Sequence, residues 1–150
     1  FLSGEKNTFE GSSSFTVVAD PATRTRNPDT YFSLDTAQSW LARPKPDNAR
    51  FPAPGFEVVS EAARRAGLEI IRERLSWADV EPEPLQYRWG NYELNARLLH
   101  ERGVQILGMY HDAPNWAKSN TSHLPGDLLA NYRFASQLAQ TFQGRMTAWE

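Results

Sequence analysis

Gly67-Leu68-Glu69-Ile70-Ile71-Arg72 joins a single glycine to a short apolar run, and the residues before it read as a helix. Over residues 55–66, Phe56, Val59, Ala63 and Ala66 recur on one face at helical spacing. A glycine just past a helix is a physical stop signal, because the left-handed conformation there carries no Cβ penalty. The run 68–72 is then a strand. The same passage occurs twice more. A helix over 91–102, with Tyr92, Ala96 and Leu99 aligned, ends at Gly103 and gives way to Val104-Gln105-Ile106-Leu107-Gly108-Met109-Tyr110. A third over 128–143, with Leu128, Tyr132, Ala135, Leu138 and Phe142 on one side, ends at Gly144 before a strand at 146–150.

The three glycines recur at roughly forty-residue spacing, about the length of a βα unit carrying one long loop. With Tyr31-Phe32-Ser33-Leu34 as a first strand, the order becomes β-α-β-α-β-α-β. Such alternation predicts a parallel sheet with right-handed crossovers. An open doubly wound sheet and an eight-stranded barrel both satisfy it. The loops favour the barrel. Those after the strands, 76–90 and 111–126, are long and aromatic, whereas those before the strands are short. Loops that follow the strands build the active site of a barrel. A nucleotide-binding open sheet calls for a glycine-rich turn after an early strand, and the sequence has none. The expected fold is α/β, the first half of a TIM (β/α)8 barrel with about four parallel strands and three helices.

Residues 1–30 are polar and contain one β-type run, Phe15-Thr16-Val17-Val18. They read as an N-terminal strand and linker, the end of an upstream β-domain, or as a loosely ordered tail; residues 31–150 form the barrel half. The chain opens on Phe1 and stops at Glu150 inside an apolar segment, from which a piece of a longer protein is expected.

Composition narrows the function classes. The 150 residues are 40% hydrophobic and 23% charged, with a formal net charge of -2. Lys and Arg are neither in excess nor clustered, so no nucleic-acid or anionic-membrane partner is indicated. No apolar run approaches the roughly 20 residues that span a bilayer. The chain has no cysteine and three histidines, and His100 and His123 lack ligand spacing with His111. No metal site is therefore indicated by these residues. No leader pattern is visible, which leaves localisation unread. Asn120-Thr121-Ser122 fits the glycosylation triplet, a pattern that arises often by chance.

Four features could carry chemistry. Arg72 is placed at the end of the second strand, where a buried guanidinium can orient a carboxylate and hold it ionised; an ion pair with Glu69 or Glu73 is the structural alternative. In Ser76-Trp77-Ala78-Asp79-Val80-Glu81-Pro82-Glu83-Pro84 the carboxylates suggest acid/base work. Pro82 and Pro84, however, predict a stiff, extended, solvent-facing loop in which Glu81 and Glu83 are structural. Trp77 and Trp89 read as core packing ahead of sugar stacking. His111-Asp112-Ala113-Pro114-Asn115-Trp116 follows the third strand, so His111 could bond substrate hydroxyls or brace the loop, and Trp116 could carry a sugar ring or pack.

Taken in order, these segments resemble the clan A glycoside hydrolases. Residues 67–72, 76–82 and Tyr87-Arg88-Trp89 resemble the second strand and its loop. Residues 103–110 with Ala113-Pro114-Asn115-Trp116-Ala117 resemble the third, and Ala148-Trp149-Glu150 the start of the fourth. Asp35-Thr36-Ala37-Gln38-Ser39-Trp40 would close the first strand. One position departs: Leu85 stands where the pattern Glu-Pro-x-x-Gly-x-Tyr-x-Trp has glycine. The resemblance implies a retaining glycoside hydrolase, in which one carboxyl protonates the leaving oxygen and another about 5 Å away attacks the anomeric carbon. It implies that Arg72 supports the nucleophile, and that Asp35, His111 and Trp116 contact carbohydrate. The acid/base glutamate is expected just after Glu150 in an Asn-Glu pair and the nucleophile on a later strand; Glu150 takes neither role. A carbohydrate-binding barrel without catalysis and an unrelated βα enzyme acting on phosphorylated substrates are the competing readings. The 150 residues alone are expected to lack glycosidase activity and to self-associate through unpaired sheet edges.

Overall fold

A computed structural model of the chain describes residues 33–42, 55–119 and 125–150. Four strands, β1 (Ser33–Thr36), β2 (Ile70–Ser76), β3 (Gln105–His111) and β4 (Ala148–Trp149), form one sheet in sequential order. Every pairing is parallel. The connections carry a 3-10 helix (Gln38–Ala42) and helices α1 (Phe56–Ala66), α2 (Trp77–Val80), α3 (Gly90–Glu101) and α4 (Leu128–Thr141). Sequential parallel order with helical crossovers is the first half of a TIM barrel.

The three glycine stops take the positive φ expected of them, 78° at Gly67, 73° at Gly103 and 76° at Gly144. Gly67 N–H bonds back to the carbonyls of Ala63 and Arg64, which ties off the last turn of α1. Asp127 caps α4 by accepting from Ala130 N–H at 2.9 Å.

Side chains alternate across the sheet. Ile71 and Leu75 of β2 and Ile106 of β3 are fully buried and join Ala63, Tyr92, Ala96 and Leu99 of the helices in one core. Burying such an aliphatic side chain stabilises the fold by about 1.5–3 kcal/mol. Phe134 of α4 closes the far end, stacked on Trp77 at 4.9 Å and on Trp89 at 5.9 Å. The tryptophans at 77 and 89 are therefore core residues, as their sequence context suggests.

Several boundaries differ from the sequence reading. The second strand runs on to Ser76, which moves Arg72 from the strand end to the middle of β2. His111 closes β3 instead of following it. Among the described residues the first strand spans Ser33–Thr36, past Leu34, so Asp35 lies within it. On α4 Leu138 and Phe142 are buried as expected, but at the start of the helix the buried stripe is Ala130 and Phe134, while Leu128 and Tyr132 are 74% and 69% exposed. Both stripes satisfy helical spacing, and the aromatic slot between Trp77 and Trp89 selects the one carrying Phe134. On α1, Ser60 is buried in place of Ala66, its hydroxyl satisfied by the Phe56 carbonyl at 2.7 Å. The proposed N-terminal strand 15–18, the triplet 120–122 and His123 lie outside the described residues.

Candidate functional site

The sheet's two faces differ in chemistry. The face toward the helices carries Ile71, Glu73 and Leu75; the opposite face carries Arg72 and Arg74. In register with them, Asp35 of β1 lies beside Arg72, and Met109 of β3 beside Arg74. The result is a polar network on the inner wall of the half-barrel. Arg72 donates from Nε to Glu150 Oε2 at 2.8 Å and from Nη2 to Glu150 Oε1 at 3.0 Å. Its Nη1 reaches Asp35 Oδ2 at 3.1 Å. Arg74 Nη2 donates to the same Asp35 oxygen at 2.9 Å.

This arrangement biases each group toward its charged form. Hydrogen bonding from Arg74, joined by the charge of Arg72, holds the Asp35 carboxyl below its ordinary range. Arg72 does the same to Glu150, and Glu150 in turn raises the Arg72 guanidinium. Planar guanidinium against carboxylate is a geometry lysine could not reproduce. The alternative pairing of Arg72 with Glu69 or Glu73 is not the one formed. Glu73 points to the other face, where it is buried and accepts from Thr36 Oγ1 at 2.6 Å, Ser39 N–H at 2.8 Å and Gln38 N–H at 3.1 Å. It thereby fixes the 3-10 helix that carries Trp40, whose ring meets His111 edge-on at 5.5 Å. Sequence reasoning missed Trp40 and Glu73; the signal was present in Gln38-Ser39-Trp40, a polar start followed by an indole just past a strand.

His111 lies at the top of β3, with Nδ1 2.8 Å from Asp112 Oδ2. Asp112 has φ 56°, an uncommon left-handed conformation outside glycine. Its carbonyl accepts from Ala78 N–H at 2.9 Å, which latches the end of β3 to the start of α2. A cavity of about 550 Å³ opens here, lined by Trp77, Tyr110, His111, Asp112, Asn131 and Glu150 among others. Asp35, Arg72 and Glu150 are thus brought together, with His111 at the mouth. Trp116 sits apart from them: its ring packs edge-on against Trp77 at 5.9 Å, and its Nε1 donates to the Glu81 carbonyl at 3.1 Å.

The loop after β2 faces solvent over residues 83–86, as its prolines suggest, but Trp77, Val80 and Glu81 turn inward. Residues 77–80 form α2, capped by Ser76 Oγ on Asp79 N–H at 3.3 Å. Glu81 is buried, and its carboxylate accepts from Trp77 Nε1 and Leu85 N–H, both at 2.7 Å. Burial of a carboxylate is tolerated because donors satisfy it. Glu81 is structural, as expected, but as an interior brace. Leu85, in the place of the expected glycine, adopts φ 66°. The turn keeps its glycine-like geometry and leucine bears the strain.

Among the described residues no group of three His, Asp or Glu side chains could hold a metal ion, and no helix is long and apolar enough to cross a membrane.

A four-stranded parallel βα unit with a charged inner wall defines the class: half of a (β/α)8 barrel. No protein-family model and no curated protein matches the chain. Solved structures do, among them several glycoside hydrolases of clan A. The chain is similar to a family 39 glycoside hydrolase from the gut symbiont Bacteroides cellulosilyticus WH2, with a TM-score of 0.56, 22% identity, and 63% of this chain against 21% of that one. It is similar to a β-galactosidase from the psychrophilic Marinomonas ef1, with a TM-score of 0.56, 15% identity, and coverage of 81% and 21%. The Pseudomonas stutzeri endoglucanase Cel5A, in a complex with cellobiose, gives a TM-score of 0.57, 13% identity, and coverage of 79% and 38%. The chain spans less than two fifths of the length of each of these proteins. At such identities the likeness establishes a glycosidase-like fold.

Proposed function

We propose that this chain is the N-terminal half of the catalytic barrel of a retaining glycoside hydrolase, acting on O-glycosidic bonds of oligo- or polysaccharides. The observation that carries the reading is the two-point grip of Arg72 on Glu150. It places a guanidinium on the inner wall beside the end of β4. In this reading the acid/base glutamate follows Glu150 in an Asn-Glu pair, and the nucleophile comes from a later strand. One carboxyl protonates the leaving oxygen; the other attacks the anomeric carbon, giving a glycosyl-enzyme that water then hydrolyses. Arg72 supplies positive charge that keeps the nucleophile ionised, Asp35 holds Arg72 in place, and His111 meets sugar hydroxyls. Trp116, packed on Trp77 away from this group, would meet carbohydrate only beyond the cavity. No cofactor enters the scheme.

The test is hydrolysis of an aryl glycoside by this chain and by the same chain extended through its downstream coding sequence. The proposal expects no activity from the first, and activity with retained anomeric configuration from the second. Activity of the 150 residues alone, or inversion by the extended protein, contradicts it.

A further inference from the structure

A guanidinium carries five N–H donors, and four of those on Arg72 are taken. Nε and one Nη2 hydrogen bond Glu150, the other Nη2 hydrogen meets Met109 Sδ at 2.7 Å, and one Nη1 hydrogen bonds Asp35. The fifth, on Nη1, has no partner among the described residues, and the Arg72 side chain keeps 28% of its surface exposed. Where that N–H points depends on what fixes the plane of the guanidinium. Glu150 fixes one edge; the other rests on Asp35. Asp35 is in turn held from further along β2. Arg74 Nε donates to its Oδ1 at 3.3 Å and Arg74 Nη2 to its Oδ2 at 2.9 Å. That fork engages both carboxylate oxygens, whereas Arg72 reaches Oδ2 alone, at 3.1 Å. The register explains the geometry: Asp35 lies directly opposite Arg72, and Arg74 is two residues on, on the same face of β2.

We propose that Arg74 is a positioning residue: by clamping Asp35 it sets the angle of the Arg72 guanidinium, and with it the direction of the one N–H left for the nucleophile. The plane of the Asp35 carboxylate follows the two-point fork, and Arg72 bonds the shared oxygen where the fork leaves it. The same fork is the chief reason that the Asp35 carboxyl lies below its ordinary range. A point charge on a flexible stem could neutralise Asp35 but could not set its plane, which is the difference between lysine and arginine at this position. The polar groups that meet Arg72 on this wall are Asp35, Met109 and Glu150, so Arg74 acts on it only through Asp35. The nucleophile in this inference rests on the glycosidase reading, whereas the clamp stands without it.

The experiment is hydrogen exchange at Arg72 Nε–H, followed by nitrogen NMR of the full chain and assigned by loss of the signal in Arg72→Lys. Arg74→Lys keeps the charge and removes the fork. It should speed the exchange about two- to fivefold, the range set by an exposed ion pair. The side chain of Arg74 is 41% exposed, so the variant keeps the fold, which its backbone amide spectrum verifies. In Asp35→Ala, where the link is missing, adding Arg74→Lys should change nothing. An unchanged rate in Arg74→Lys, or an equal increase with and without Asp35, overturns the clamp. In the extended protein, Arg74→Lys should move the acid limb of kcat/KM to higher pH with KM nearly unchanged, because a nucleophile less well met by Arg72 takes up its proton sooner. An acid limb that stays in place while the exchange speeds up overturns the catalytic consequence. The exchange is read without substrate or turnover, so failure of the clamp and failure of the proposed activity are distinguishable.

Discussion

Arg72 holds Glu150 through two hydrogen bonds of 2.8 and 3.0 Å, although 78 residues separate them and β3 lies between their strands. The contact crosses the inner wall and ties the middle of β2 to the end of β4. Arg72 simultaneously meets Asp35 on β1 and Met109 Sδ on β3, so one guanidinium on β2 couples all four strands.

That coupling has a pH signature. The folded-state values of Asp35 and Glu150 lie below their ordinary ones, so the stability they contribute is present above the usual carboxylate range and is lost as pH falls through the folded values. Arg72→Met should lower the urea midpoint at neutral pH and flatten its decline between about pH 5 and pH 3. An equally steep acid decline in the variant would show that the network does not govern it.

Gly108 faces Trp149 across the β3–β4 pairing. A Cβ there would overlap the indole ring and come within 2.8 Å of Met146 Sδ. Gly108→Ala should therefore displace β4, at a cost of about 1–3 kcal/mol. Urea unfolding reads the cost, and hydrogen exchange at Glu150 N–H, which donates to the Gly108 carbonyl at 2.8 Å, locates it.

Glu81→Gln replaces a carboxylate that serves two donors with an amide whose NH2 must face one of them. The expected loss is about 1–3 kcal/mol, seen as a lower melting temperature. A neutral effect would mean that water replaces the brace.

Leu85 is 61% exposed, and its side chain has little packing to lose. Leu85→Gly should relieve left-handed strain of about 1–2 kcal/mol, offset by about 0.5–1 kcal/mol of added chain entropy. A small net gain in stability is predicted by chemical denaturation; a clear loss would mean that leucine makes contacts beyond the turn.

The parallel alternation was legible because each helix ends in a glycine that must take positive φ, and Gly67, Gly103 and Gly144 all do. The last turns of α4 were legible too, since Leu138 and Phe142 are buried; its first turns were not, because two stripes satisfy the same periodicity there and the Trp77–Phe134–Trp89 stack chooses between them. Arg72 and Asp35 could be nominated from the sequence, but their bond could not. It depends on strand register, which places Asp35 directly opposite Arg72 and brings Glu150 around β3. Buried Glu81 was misplaced for a related reason: Pro82 and Pro84 signal an extended segment, while the donors that draw the carboxylate inward come from Trp77 and Leu85, on either side of it.

The exposed apolar residues Leu128, Leu129 and Tyr132 lie on α4, the last helix, and Leu34 lies on β1, the first strand. The isolated 150 residues should self-associate through these margins. Light scattering on the eluted protein should show mass above one chain, reduced by Leu128→Glu with Leu129→Glu; a monomer at all concentrations would contradict this.

The most direct test of the central claim is to read the coding sequence past Glu150. The account predicts an Asn-Glu pair within a few residues and a second glutamate at the end of a later strand, and replacing either by glutamine in the extended protein should abolish aryl-glycoside hydrolysis. A reading frame that continues without those glutamates, or that stops at Glu150, would contradict the assignment of this half-barrel to a retaining glycoside hydrolase.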